Sequence, residues 1–244
     1  MSLMEHLIEL RSRLIKCAIA IAVGSALGWL LYNPVLSWLR EPLEAISDDP
    51  NVSDNLRFLG PMDGFMFRIK MSAYLGLVIC MPYLLWQLWK FISPGLYQNE
   101  RRYATAFVAS ASALFLMGAY VAYFTLPAAL GFLTSVGGND VTYEFTPEKY
   151  VMLIVYMMLA FGVGFEFPIV LVALQLVGVL KPQQLRDFRR FGIVIIFVIA
   201  AVITPSADPI SLFALAIPMM IFYEISIIIG RVIVGRRAAA EVSS

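Results

Sequence analysis

Apolar positions in this chain run in long blocks, with polar residues gathered between them. Six blocks are long or apolar enough to be membrane spans: roughly Leu14–Leu31, Ile69–Trp89, Tyr103–Leu126, Tyr150–Val179, Phe191–Ile203 and Ile210–Ile229. Hydrocarbon offers backbone N–H and C=O groups no partners, so each block is expected to be a helix. The fifth block has thirteen residues, about 20 Å of helix against a hydrocarbon core of about 30 Å. The link Thr204–Pro209 is too short to travel far. The fifth and sixth spans are therefore expected to form a short hairpin that thins the bilayer or draws its polar turn inward.

Smaller features fill the gaps. Leu3, Leu7, Leu10 and Leu14 recur at helical spacing, with Glu5, Glu9, Ser12, Arg13 and Lys16 on the other side. This pattern predicts an interfacial helix running into the first span. The first outer loop, 33–68, holds Val35, Leu36, Leu39, Leu43 and Ile46 at helical spacing, which predicts a surface helix over Pro34–Ile46. Ser47–Asp54 reads as a solvated turn, and a second outer loop covers 127–149. Pro82, Pro168 and Pro218 fall inside spans, where each removes a donor and is expected to kink its helix. Kinked helices side by side make a concave wall. The fold class is thus an all-α integral membrane protein, with residues 1–244 as one transmembrane domain.

Composition agrees. The chain is 60% hydrophobic and 14% charged, with mean hydropathy +0.80, far from the balance of a soluble domain. The distribution of charge orients it. Six spans put both termini on one side; that side carries 13 Lys and Arg (Arg11 to Lys16, Lys90 to Arg102, Lys181 to Arg190 and Arg231 to Arg237), and the other carries 5. By the positive-inside rule both termini are expected in the cytoplasm. Glu5 and Glu9 precede the first apolar block and no A-x-A site follows it, so a cleaved signal is not expected. Cys17 and Cys80 lie in apolar blocks and read as small core residues.

Candidate chemistry is sparse. Glu166 is the one acid or base between Lys149 and Lys181, and an ionisable group at that depth costs roughly 2.5 kcal/mol or more without a partner. Such a group commonly faces a bundle interior or polar cavity, so it marks either a functional site or a satisfied internal contact. Gly162, one turn earlier, and Pro168 support close, bent packing around it. Glu9 and Arg13 have the spacing of a helical ion pair. Glu100 stands at the mouth of the third span, where the helix dipole favours a carboxylate, and where it could also accept a guanidinium through paired hydrogen bonds. The one histidine is His6, which leaves a Ser–His protease or a histidine metal site unsupported, and there is no G-x-x-x-x-G-K-[ST] phosphate loop. A signal receptor, a proton-coupled solute transporter using Glu166 and a structural scaffold all remain open on these residues.

Four motifs together resemble the TatC family, the polytopic core of the twin-arginine protein translocase. They are His6-Leu7-Ile8-Glu9-Leu10-Arg11-Ser12-Arg13, the stretch Phe91–Arg102, Phe161–Pro168, and Thr204-Pro205 followed by Asp208 and Ala216-Ile217-Pro218. The resemblance implies a non-enzymatic receptor for signal peptides bearing paired arginines, moving folded proteins across the bacterial inner membrane on the proton-motive force. It implies no cofactor, metal or nucleic acid. Partners would be TatA- and TatB-type single-span subunits, further copies of the chain, and lipid. Glu9 and Glu100 would receive the arginines, with Arg11, Phe91 and Arg101 shaping the site. Glu166 would be a polar spot on the concave wall, and Pro42, Phe65, Tyr123 and Asp208 would be outer-face and core positions. Gln98-Asn99 departs from the family's usual charged or histidine-bearing pair. The turn Thr204–Asp208 is one residue longer than the common Thr-Pro-Pro-Asp.

Overall fold

The computed structural model describes residues 3–44, 56–92, 104–136, 143–176 and 178–242. They form helices α1 (Leu3–Leu30), α2 (Tyr32–Glu44), α3 (Asp63–Ile92), α4 (Ala104–Val136), α5 (Pro147–Phe165), α6 (Phe167–Leu176), α7 (Pro182–Asp187), α8 (Arg189–Ile203) and α9 (Pro209–Val242). Among the described residues, five stretches are long and apolar enough to cross a membrane: Leu7–Leu30, Asp63–Phe91, Phe107–Val136, Pro147–Leu176 and Pro209–Val232. The 15 residues of α8 reach about 22 Å, the short element expected from the sequence.

The helices pack in overlapping groups of neighbours. α1 packs chiefly on α3, α3 on α4 and α5, α4 and α5 on each other and on α9, and α9 on α6 and α8. Residues without bulk let the first pair close. Gly24 and Gly28 form a G-x-x-x-G step, and a Cβ built on Gly28 would lie 2.6 Å from the Ser72 carbonyl oxygen of α3. A Cβ on Gly24 would lie 2.7 Å from the Gly76 carbonyl oxygen. Small-xxx-small faces drive helix pairing in lipid because backbones can then approach closely. Between α3 and α5 the core is bulkier: Phe67, Met71, Tyr150, Ile154 and Met157 are all buried. α2 lies across that end, with Leu39 and Leu43 buried.

Several boundaries differ from expectation, for physical reasons. α4 runs through Pro127 to Val136, so the third span does not stop at Leu126; Ala128, Ala129 and Leu130 are good helix formers and outweigh one lost donor. α3 starts at Asp63, whose carboxylate accepts N–H bonds from Gly60 (2.7 Å) and Leu59 (3.2 Å) and fixes the entry. The last helix is not short. It covers 34 residues, because Arg236-Arg237 and the alanines after them contain no breaker. Helices α3 and α9 continue through Pro82 and Pro218. The fourth block does break: α5 ends at Phe165 and α6 starts at Phe167. Pro168 cannot donate to the Gly164 carbonyl, so the ladder is interrupted beside Glu166.

Candidate functional site: carboxylates at a helix junction and a helix break

Two ends of the bundle and one break carry the polar chemistry. At the end holding the amino terminus, α1 crosses the last turn of α3. Arg13 donates from Nε to Glu9 Oε1 at 3.1 Å, and its Nη2 bonds the same oxygen. Its Nη1 donates to Gln87 Oε1 (3.3 Å) and its Nη2 also to the Lys90 carbonyl (3.0 Å). Gln87 is 6% exposed, and the Lys90 ammonium lies over the Trp86 ring, 5.2 Å from its centroid. The other oxygen of Glu9, Oε2, is buried and has no partner among the described residues. Arg11 is exposed on α1, and Phe91 is half-buried at the end of α3. Arg13 thus links Glu9 to the carbonyl of Lys90, the residue before Phe91. Glu100 and Arg101 lie outside the described residues.

Glu166 occupies the break between α5 and α6. Its N–H donates to the Val163 carbonyl (3.1 Å), and its own carbonyl accepts from Val170 (3.1 Å). Its carboxyl oxygen Oε1 is buried without a partner among the described residues. One turn earlier, Gly162 packs against the Phe115 ring of α4, as its size allows. Beyond the break, Gln175 donates from Nε2 to Leu171 O (3.2 Å) and to Ser226 O of α9 (3.1 Å), tying α6 to α9.

At the opposite end two of the remaining expected positions, Asp208 and Tyr123, have clear structural partners. Asp208 is 1% exposed; its Oδ1 accepts from Ser211 N–H at 2.7 Å and its Oδ2 from the Ser206 hydroxyl at 2.5 Å. It caps α9, with Pro209 at the first helical position, where a missing N–H costs nothing. The extra residue in that turn, Ala207, takes φ 49°. Tyr123 stacks on Trp38 at 4.1 Å and donates its hydroxyl to Trp38 O (3.0 Å) or Glu41 (3.2 Å), pinning α2 to α4. Pro42 is buried in α2, and Phe65 is 53% exposed on the first turn of α3. Arg68 lies over Trp29 (4.4 Å) and Tyr32 (4.8 Å), locking the α1–α2 elbow. Burial lifts the Tyr32 phenol above its ordinary pKa, and Arg68 pulls partly the other way.

Sequence reasoning did not single out Gln87 or Arg13 as site residues. The signal for Gln87 was an amide inside the apolar stretch Tyr83–Trp89, where a buried amide needs a partner. Arg13 stood in the quoted motif, but its reach across to α3 follows only from the helix crossing.

Long apolar helices packed side by side, with half-buried acids at a helix junction and a helix break that each keep one oxygen without a partner among the described residues, define a polytopic membrane protein. Comparison with known proteins narrows this class. The family model for the Sec-independent protein translocase protein TatC matches residues 5–218, and the chain belongs to the TatC family. It is 40% identical to the TatC protein of Aquifex aeolicus, over 95% of this chain and 95% of that protein. It is 37% identical to TatC of Frankia casuarinae over 94% of this chain, but spans only 65% of that relative's length. It is 39% identical to a crystal structure described as twin arginine translocase receptor TatC, with TM-score 0.74, covering 93% of this chain and 98% of the other.

Proposed function

We propose that this chain is the receptor for twin-arginine signal peptides and the core of a translocase that moves folded proteins across the bacterial inner membrane on the proton-motive force. The observation that carries this reading is the fit of 93% of the chain to a structure described as a twin arginine translocase receptor. The chemistry supports it. Two arginines are costly deep in hydrocarbon, so their receptor should be acidic and lie near the surface. Glu9, with one buried oxygen unpaired among the described residues, and Glu100 are the acids of the amino-terminal end in this reading, with Arg11, Phe91 and Arg101 around them.

The chain acts as a single membrane domain of six crossings. The broken pair α5–α6 counts as one crossing and α8 as the short fifth, and both termini are cytoplasmic. Glu166 is the polar spot met by the signal's apolar helix or by a partner helix. TatA- and TatB-type single-span subunits, other copies of the chain and lipid are its partners, and it works without a cofactor or catalysis of its own.

The test is crosslinking of a twin-arginine signal peptide to probes at positions 9 and 100, with export measured in cells. Expected are adducts at both sites, and loss of binding and export on Glu100→Gln and Glu9→Ala. Intact binding and export in both variants would overturn the receptor reading. Proton-coupled solute uptake into liposomes holding this chain alone would point instead to Glu166 as a relay.

A further inference from the structure

We infer that Arg13 and Gln87 are positioning residues of the signal site, holding Glu9 so that one carboxylate oxygen is left without a donor for the guanidinium of a bound signal peptide to satisfy. The inference rests on the receptor reading and says how one of its acids is presented.

The hydrogen-bond pattern carries it. A guanidinium that merely neutralises a carboxylate commonly lies flat against it, one N–H on each oxygen. Here both the Nε and Nη2 donors of Arg13 end on Oε1. Gln87 Oε1 and the Lys90 carbonyl account for the difference. They hold the guanidinium from the α3 side, through Nη1 at 3.3 Å and Nη2 at 3.0 Å, and so rotate the fork off Oε2. The Glu9 side chain is 21% exposed and that of Arg13 17%, so neither swings freely in water. The outcome is a carboxylate with one oxygen spent on the scaffold and the other, Oε2, buried and unpaired among the described residues. A buried anionic oxygen without a donor is unfavourable, and a ligand N–H relieves that cost.

This arrangement also sets what Glu9 can read. With one oxygen available it accepts a single charge-assisted hydrogen bond, not a parallel pair. Arg13 remains in place when ligand arrives, because two of its four acceptor contacts are on α3 and do not depend on Glu9.

A double-mutant cycle tests this in the full chain reconstituted in nanodiscs, using binding of a fluorescent twin-arginine signal peptide. Gln87→Leu keeps the volume and suits an apolar span, and it leaves both charges of the Glu9–Arg13 pair. It is expected to weaken peptide binding about fivefold, the value of one net hydrogen bond. In a Glu9→Gln background, already weakened, Gln87→Leu is expected to cause no further loss, because its effect passes through Glu9. Arg13→Lys, which keeps the charge but cannot reach Glu9, Gln87 and the Lys90 carbonyl together, is expected to weaken binding as well. If the Glu9 and Gln87 effects add, or if Arg13→Lys binds more tightly than the parent, Arg13 and Gln87 do not position Glu9 and the inference falls while the receptor reading stands. If Glu9→Gln alone leaves binding unchanged, the receptor reading falls and takes the inference with it. Thermal unfolding of each variant in the same nanodiscs separates loss of folded protein from loss of affinity.

Discussion

Gly118 offers a direct measurement of what holds the central helices together. It sits on α4 where that helix crosses α5. A Cβ at this position would lie 2.5 Å from the Phe161 carbonyl oxygen, 2.8 Å from its carbon and 3.0 Å from Gly162 Cα. All three are backbone atoms, so no side chain can turn aside. Ordinary contact begins at 3.4 Å, so α4 and α5 must part by about 1 Å, the difference between 2.5 and 3.4 Å, to admit one methyl group. Overpacking of this kind costs about 1–3 kcal/mol. Alanine also favours helix over glycine by about 1 kcal/mol, so the crossing must lose more than that for the variant to be destabilised. Gly131 on the same helix is the control, since a Cβ there meets nothing within 4 Å. Both substitutions change helix propensity alike, and the difference between them isolates the crossing. Gly131→Ala is expected to be neutral or slightly stabilising, and Gly118→Ala less stable than the parent. The assay is thermal unfolding of the purified full chain in detergent micelles, followed by tryptophan fluorescence. Equal midpoints for the two variants would refute close backbone packing at this crossing.

Two further outcomes follow from buried polar contacts. Asp208→Ala should lose about 1–2 kcal/mol through loss of the α9 cap, whereas Asp208→Asn keeps an oxygen for the Ser211 N–H and should be nearly neutral; amide hydrogen exchange at Ser211 and the melting midpoint check both. A Cβ on Gly230 would overlap the Gln175 side-chain amide, so Gly230→Ala should destabilise the chain, and adding Gln175→Ala should restore part of the loss; melting of the two single variants and the double variant checks the coupling.

The helical kind of the elements, and five of the six expected spans, were legible in the sequence because hydropathy dominates in a membrane chain. The surface helix α2, the short α8 and the interruption beside Pro168 all follow from local pattern. Helix ends were less legible. Pro127 looked like a stop, yet α4 continues ten residues past Leu126 to Val136, since a single missing donor is a small penalty inside an otherwise favourable helix. The pairing of α1 with α3 was hidden for a different reason. The G-x-x-x-G step Gly24–Gly28 is visible in the chain, but nothing in a one-dimensional pattern says that Ser72 and Gly76 meet it. At the site, Glu9 was named from sequence, whereas Gln87 and the Lys90 carbonyl join it through Arg13 only once the fold crosses α1 over α3.

The placement of polar groups explains why the carboxylates differ in what they can do. Asp208 stands at a helix start, where free N–H groups satisfy it from within the chain. Among the described residues, Glu9 and Glu166 are the carboxylates that keep a buried oxygen without a partner. Glu9 lies at a junction where scaffold donors take one oxygen and leave the second. Glu166 lies at a break, where the helix supplies its backbone with partners but its side-chain Oε1 finds none among the described residues. A scaffold that needed these acids for stability alone would cap both, as it caps Asp208. A buried carboxyl oxygen without a donor is a standing cost, and on the receptor reading proposed above that cost is relieved by donors arriving on another chain, a charged head near Glu9 and a helix near Glu166.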